Sequence, residues 1–326
     1  MLPPERPATF KNPRGARRCV GCLEQRGLDP MESLQPTPDQ VALAVVRRVH
    51  HVASLPESAA RAREVAADPE STLAELGEAF SRDPALCAQL LKVANSAYYG
   101  LRAEVTSIER AAALLGRRVL RNVSLAASMQ SVWPRGEIHA RFSADALWRH
   151  SLGTATAAAV IAERSEAWVP QEAFAAGLIH DLGLLVEIES DRKGLARVVD
   201  ELSAAGGAGW RDRICAIEER HLGAGHQHFG AALCDAWGFP AQLRAVARHH
   251  HDPLGAEGET RTLCAVVWLA EVLDESLDHG LRAERGELEI DPAVLEIVGL
   301  TAEDLPAVIE RVAEAVAEAE TAFSFA

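Results

Sequence analysis

His180 and Asp181 close the apolar run Ala175-Ala-Gly-Leu-Ile-His-Asp-Leu-Gly-Leu184. Neutral imidazole and carboxylate are donors for first-row divalent metals. Further donors of the same types stand at His150, His226, the run His249-His250-His251, and Glu271. Donors of these types would suit Mn, Fe, Mg or Zn. Such a metal lowers the pKa of bound water, giving hydroxide near neutral pH, and neutralises charge on a phosphate under attack. Structural explanations compete with this one. His180 can cap a helix end, and Asp181 can cap or pair locally. His228, His249 and His251 have the character of solvated or core-satisfied side chains. Asn95 and Tyr99 are expected to serve a helix terminus and packing.

The donors need rigid elements to bring them together, and helical periodicity supplies them. Helices are expected over Phe142–Ala162, carrying His150, and Gln171–Val186, carrying the doublet. Others are expected over His226–Trp237, Pro240–His250 and Leu263–Leu273. Upstream, Val41, Val45, Val49 and Val52 follow an i, i+4 spacing. Thr72 with Glu75, and Thr106 with Glu109, have capping-box spacing. Asp83-Pro84 opens a helix through Leu86, Leu90 and Leu91. A helix after Thr106 ends at Gly116, and another runs on through Val119, Leu120 and Val123. Near the end, Thr301 is expected to cap a helix with Leu305, Val308, Ile309, Val312 and Val316 on a core-facing stripe. β-branched alternation is scarce and aromatics are only 5% of residues, so the fold class is all-α.

Composition narrows the function. The chain has 326 residues and 48% hydrophobic content, enough for a substantial core. A net charge of -14 repels phosphate backbones and argues against a nucleic-acid partner. That charge also counts against reading Ile108–Leu125, with Arg117, Arg118 and Arg121, as a DNA-binding helix-turn-helix. No apolar run reaches transmembrane length and no signal-peptide core is visible, so a cytoplasmic protein with no membrane partner is expected. Residues 1–40 are rich in proline, carry Arg14, Arg17 and Arg18, and read as a disordered tail. Met31 is an alternative start. Cys19-Val-Gly-Cys22 has no second pair to complete a zinc site, and Cys87, Cys215, Cys234 and Cys264 read as buried reduced thiols.

Several motifs occur in an order that resembles a known family. Asp83-Pro-Ala-Leu-Cys-Ala-Gln-Leu-Leu-Lys-Val-Ala-Asn-Ser-Ala-Tyr-Tyr-Gly100 is similar to the signature of the HDOD (HD-related output domain) family of the HD superfamily. So are Thr106–Gly116, Leu147-Trp-Arg-His-Ser151, Ala173–Gly183, His226–Gly230 and Trp237-Gly-Phe-Pro240. The resemblance spans roughly residues 45 to 280. It implies an N-terminal helical bundle, 41–135, packed on an HD-like subdomain, 136–283, followed by a helical extension, 284–326.

On the HD pattern, His150 is the first ligand and His180-Asp181 the doublet; His226 and the pair His250-His251 match the later histidines of binuclear relatives. Glu271 stands where that pattern has an aspartate. Other departures bear on catalysis. Leu184 occupies the place of a lysine in the HD-GYP phosphodiesterases, and Asp252-Pro-Leu-Gly-Ala-Glu-Gly258 replaces their Gly-Tyr-Pro element. The resemblance therefore implies a bacterial signalling or regulatory output module with a degenerate HD-type pocket and no catalytic residues. It would act on a protein partner and bind a divalent metal or small ligand. The alternative is a metal-dependent phosphohydrolase acting on a nucleotide or cyclic dinucleotide.

Overall fold

The computed structural model describes residues 36–49, 60, 72, 80, 84–96, 104–134, 136–165, 172–205, 210–258, 260–277 and 290–323. The proline-rich stretch up to residue 35, the Cys19–Cys22 pair, the Thr72–Glu75 box, Val52 and Tyr99 lie wholly or partly outside them. The helices are α1 (Pro38–Val46), α2 (Pro84–Ala94), α3 (Ile108–Val132), α4 (Ala144–Arg164), α5 (Ala173–Ile179) and α6 (Leu182–Ala205). They continue as α7 (Trp210–Leu222), α8 (His226–Ala236), α9 (Ala241–His249), α10 (Thr260–Ser276), α11 (Pro292–Val298) and α12 (Leu305–Phe323). The all-α class is what the structure shows. The exception among the described residues is a small hairpin, β1 (Glu137–His139) against β2 (Phe142–Ser143), antiparallel with Glu137 opposite Ser143. Strands this short show no alternation in sequence.

Local chemistry sets the helix ends. Helix α1 begins at Pro38, inside the stretch expected to be tail. Thr37 Oγ1 accepts from the Gln40 amide at 3.3 Å, and the Gln40 side chain accepts from the Thr37 amide at 2.9 Å. This reciprocal pair, with proline in the first turn, nucleates the helix. Helix α1 packs on α8 and α6, and Asp39 pairs with Arg248 at the end of α9 at 3.0 Å. Helix α3 is capped by Ser107, not Thr106: the serine hydroxyl accepts from the Arg110 amide at 3.2 Å. It breaks at Gly116 (φ 75°), as expected, and Arg118 beyond the break pairs with Glu163 of α4. That corner is tied into the bundle. Asn95, at the end of α2, exchanges hydrogen bonds of 2.7 and 2.8 Å with the backbone of Val105, fastening α2 to the entry of α3.

The doublet region differs most from expectation. One helix over 171–186 was expected; the chain instead forms α5 and α6 with His180 and Asp181 in the turn between them. In a continuous helix successive side chains point about 100° apart, so neighbouring residues cannot both face one centre. The turn removes that restriction.

Helix α12 belongs to the core. Val308, Val312, Ala315 and Val316 are buried, and α12 lies along α4. The Gln89 and Gln130 side chains donate to the carbonyls of Ala322 and Phe323. Thr301 does not cap it directly: its amide and hydroxyl bond Asp304, closing the preceding turn. One continuous apolar cluster joins residues from α1 through α12.

Candidate metal centre

Glycine contacts bring the donor helices unusually close. A Cβ on Gly183 of α6 would lie 1.8 Å from the His226 carbonyl oxygen, so only glycine lets the start of α8 seat beside the doublet. On α4, a Cβ on Gly153 would lie 1.8 Å from Asp274 Oδ1, so α10 can press its carboxylate against the helix bearing His150.

The expected donors converge in the interior. His150, His180, Asp181, His226, His250 and Glu271 are each at most 4% exposed. The ligand atoms of His150, His180 and Glu271 lie within 4.8 Å of one another, as do those of Asp181, His226 and His250. Asp181 connects the two groups. Its Oδ2 lies 3.7 Å from His150 Nε2 and 3.3 Å from His180 Nε2. Its Oδ1 lies 3.6 Å from His226 Nε2 and 3.5 Å from His250 Nε2.

Each of these imidazoles is held from behind through Nδ1. His150 Nδ1 donates to Asp274 Oδ2 at 2.9 Å, and His226 Nδ1 to Glu218 Oε2 at 2.7 Å. His180 Nδ1 donates to the Gly177 carbonyl at 2.7 Å, and His250 Nδ1 to the carbonyls of Val246 and Ala247, each at 3.2 Å. A carbonyl or carboxylate oxygen can only accept, so each Nδ1 carries a proton and each Nε2 faces inward. This is the outer arrangement that orients histidine ligands in metal sites.

His251 corrects the expectation: it joins the cluster, its Nε2 2.9 Å from His226 Nε2. His228 and His249 stay outside it. The residues that sequence reasoning missed sit just past the ends of expected helices or on α7, a helix that was not expected. Asp274 follows Glu271 on α10, and Glu187 follows the doublet on α6. Helix α7 contributes Arg211, Cys215 and Glu218, a stripe at helical spacing. That stripe was visible in the sequence, but nothing there aimed it at the histidines.

Charge is distributed accordingly. Burial opposes a charge on His150, but the hydrogen bond and charge of Asp274, with Asp181 and Glu271, push it up to about 9. Burial likewise opposes a charge on His226, and Glu218 then raises it to about 9. Burial, with neighbouring imidazoles, lowers His250 and holds His251 well down. Asp181 stays ionised: burial disfavours its charge, but His180, His250 and His226 hold it well below the usual carboxylate range. Glu271 is also lowered despite burial, chiefly by Arg211, whose guanidinium lies 3.4 Å away and 2.9 Å from Glu275. Glu187 goes the other way. Burial, then Glu218 and Asp181, raise it well above the usual carboxylate range.

A divalent cation fits this donor set. Among the described residues the buried His180 Nε2 makes no hydrogen bond, although Asp181 Oδ2 lies 3.3 Å from it. His226 Nε2 faces the Nε2 atoms of both His250, at 3.1 Å, and His251, at 2.9 Å. Lone pairs crowded this closely repel unless a proton or a cation lies among them. Leu184, at the place of a lysine in the related phosphodiesterases, is 1% exposed and part of the apolar core.

The HDOD domain model matches residues 52–253. The chain belongs to the HDOD family. A crystal structure of an HDOD domain protein of unknown function from Geobacter sulfurreducens superposes with a TM-score of 0.73 at 22% identity, covering 87% of this chain and 99% of that one. A candidate phosphohydrolase from Shewanella amazonensis SB2B gives 0.66 at 24% identity, covering 86% and 97%. A candidate signal transduction protein from Marinobacter aquaeolei VT8 gives 0.64 at 21% identity, covering 86% and 65%. These likenesses establish the shared HDOD fold. In sequence, the chain is 23% identical over 259 residues to an uncharacterized protein of Treponema pallidum (strain Nichols) and spans 46% of that protein's length. Among the described residues no helix is long and apolar enough to cross a membrane.

Proposed function

We propose that this HDOD domain is a signalling or regulatory output module that holds divalent metal in its HD-type pocket and acts through a protein partner. One observation carries the metal reading: inward Nε2 atoms, each backed through Nδ1, gathered around Asp181. His150, His180 and Glu271 would serve one position and His226 and His250 the other, with Asp181 offering an oxygen to each. A metal bound there would supply Lewis acidity and an activated water.

Burial favours regulation over turnover. Donors at most 4% exposed leave little approach for a bulky nucleotide. A metal at this depth instead clamps α4, the α5–α6 turn, α8, α9 and α10 together, so its binding is coupled to the shape of the whole domain. A partner that recognises that shape would read metal occupancy.

Arg211 favours a second reading, hydrolysis of a nucleotide or cyclic dinucleotide. Its guanidinium pairs with Glu271 and supplies, from another helix, a cation of the kind that Leu184 lacks. Elemental analysis of the purified protein, with a phosphodiesterase screen in manganese and iron, separates the two. Bound metal with little or no turnover supports the regulatory reading. Turnover that vanishes in Asp181→Ala promotes the hydrolase, and absence of metal in the protein and after reconstitution defeats both.

A further inference from the structure

Helix α7 faces the centre with more than its charged residues. Arg211, Cys215 and Glu218 recur at i, i+4 and i+7, so they share one face of the helix. Arg211 reaches Glu271 at 3.4 Å and Glu218 reaches His226 at 2.7 Å. Cys215 lies between them. Its ligand atom and those of His226 and His251 all lie within 4.8 Å of one another. His226 also belongs to the group formed with Asp181 and His250. The two sides of Asp181 therefore differ in kind. The side of His150, His180 and Glu271 offers nitrogen and oxygen, whereas the side of His226 also has a sulfur and an additional imidazole.

We propose that the centre is chemically asymmetric: Cys215 is a thiolate ligand on the His226 side and makes that position selective for zinc or another thiophilic ion. This rests on the metal-centre reading above. Thiolate with imidazole is a donor set for zinc, whereas carboxylate with imidazole also accommodates manganese and iron. Without metal the thiol keeps its proton, because burial and then Glu218 and Glu187 push it up. Binding forms the metal–sulfur bond as the S–H bond breaks, and the proton leaves to solvent; no oxidant or reductant takes part. His251 serves the same position. Burial and then its neighbouring imidazoles keep it neutral, the form that can ligate.

The test is cobalt(II) substitution of the full-length chain, followed by absorption spectroscopy. Cobalt bound to thiolate gives a near-ultraviolet charge-transfer band that nitrogen and oxygen ligands do not give. Cys19→Ser and Cys22→Ser form the background, since that pair could bind cobalt by itself. The band is expected in this background, is expected to persist in Cys87→Ser on α2, and is expected to be lost in Cys215→Ser. Cys215→Ala provides a second variant should the serine disturb folding. Competition should show zinc affinity falling at least about ten-fold in Cys215→Ser, the low end of what losing even an outer partner costs, with manganese affinity unchanged. Visible cobalt bands without the near-ultraviolet band in the parent chain would overturn the thiolate ligand and leave the metal centre standing. Failure to bind cobalt at all would overturn both.

Discussion

Asp274 Oδ2 accepts a hydrogen bond from Nδ1 of His150 at 2.9 Å, across 124 residues of chain. The carboxylate is fully buried on α10, and it comes this close only because residue 153 of α4 has no side chain. The pair keeps a proton on Nδ1 and aims His150 Nε2 at the centre. Asp274→Asn keeps the shape and removes the charge, and should weaken metal binding by about 10- to 100-fold. Titration calorimetry of the purified variant reads this directly; unchanged affinity would show that His150 needs no such partner.

Asp181 and Glu271 should differ in their effect on stoichiometry. Asp181 presents one oxygen to each group of imidazoles, so Asp181→Ala should empty both positions. Glu271 belongs to the His150 side, so Glu271→Gln should leave the His226 side loaded. Elemental analysis of the two variants side by side checks this, and equal metal content in both would refute the division.

Metal-free protein should lose stability as pH rises, and bound metal should offset that loss. His150 and His226 are raised from an ordinary 6.5 to about 9 in the folded, metal-free state. Their contribution to stability is therefore complete below about 6.5 and lost as pH rises to about 9. Metal must displace those protons, so metal affinity should rise over the same range. Thermal midpoints measured across pH 6 to 9, with and without metal, should show the metal-free midpoint falling and the stabilisation by metal growing.

Leu184→Lys should not create a phosphodiesterase. Leu184 is 1% exposed within the apolar core. A lysine there would bury an uncompensated charge, on the order of 3–5 kcal/mol of lost stability. Denaturant melts should show the loss, and turnover of cyclic di-GMP should not increase.

Gly183→Ala tests the helix contact itself. The added methyl would meet the His226 carbonyl, so α6 and α8 must separate. Overpacking of this kind costs about 1–3 kcal/mol. Metal binding should suffer alongside stability, because His226 and Asp181 would move apart. A destabilised variant with full metal affinity would show that the seat of α8 is not critical for the site.

Much of this was legible in the chain. Apolar positions at helical spacing determined the all-α class, because a buried helical face needs that period whatever it packs against. The types and order of His150, His180-Asp181, His226, His250 and Glu271 determined the candidate donors, because few side chains can bind a divalent cation. Tertiary structure decided how those donors are used. Only packing breaks the helix at His180 and Asp181, and only the close seats at Gly153 and Gly183 bring Asp274 and His226 into range. Only packing turns the stripe of Arg211, Cys215 and Glu218 toward the histidines and admits His251 to them. Periodicity says which face of a helix is apolar. It says nothing of which polar residue on another helix, far away in sequence, will stand behind an imidazole, because that depends on the distances and angles between helices.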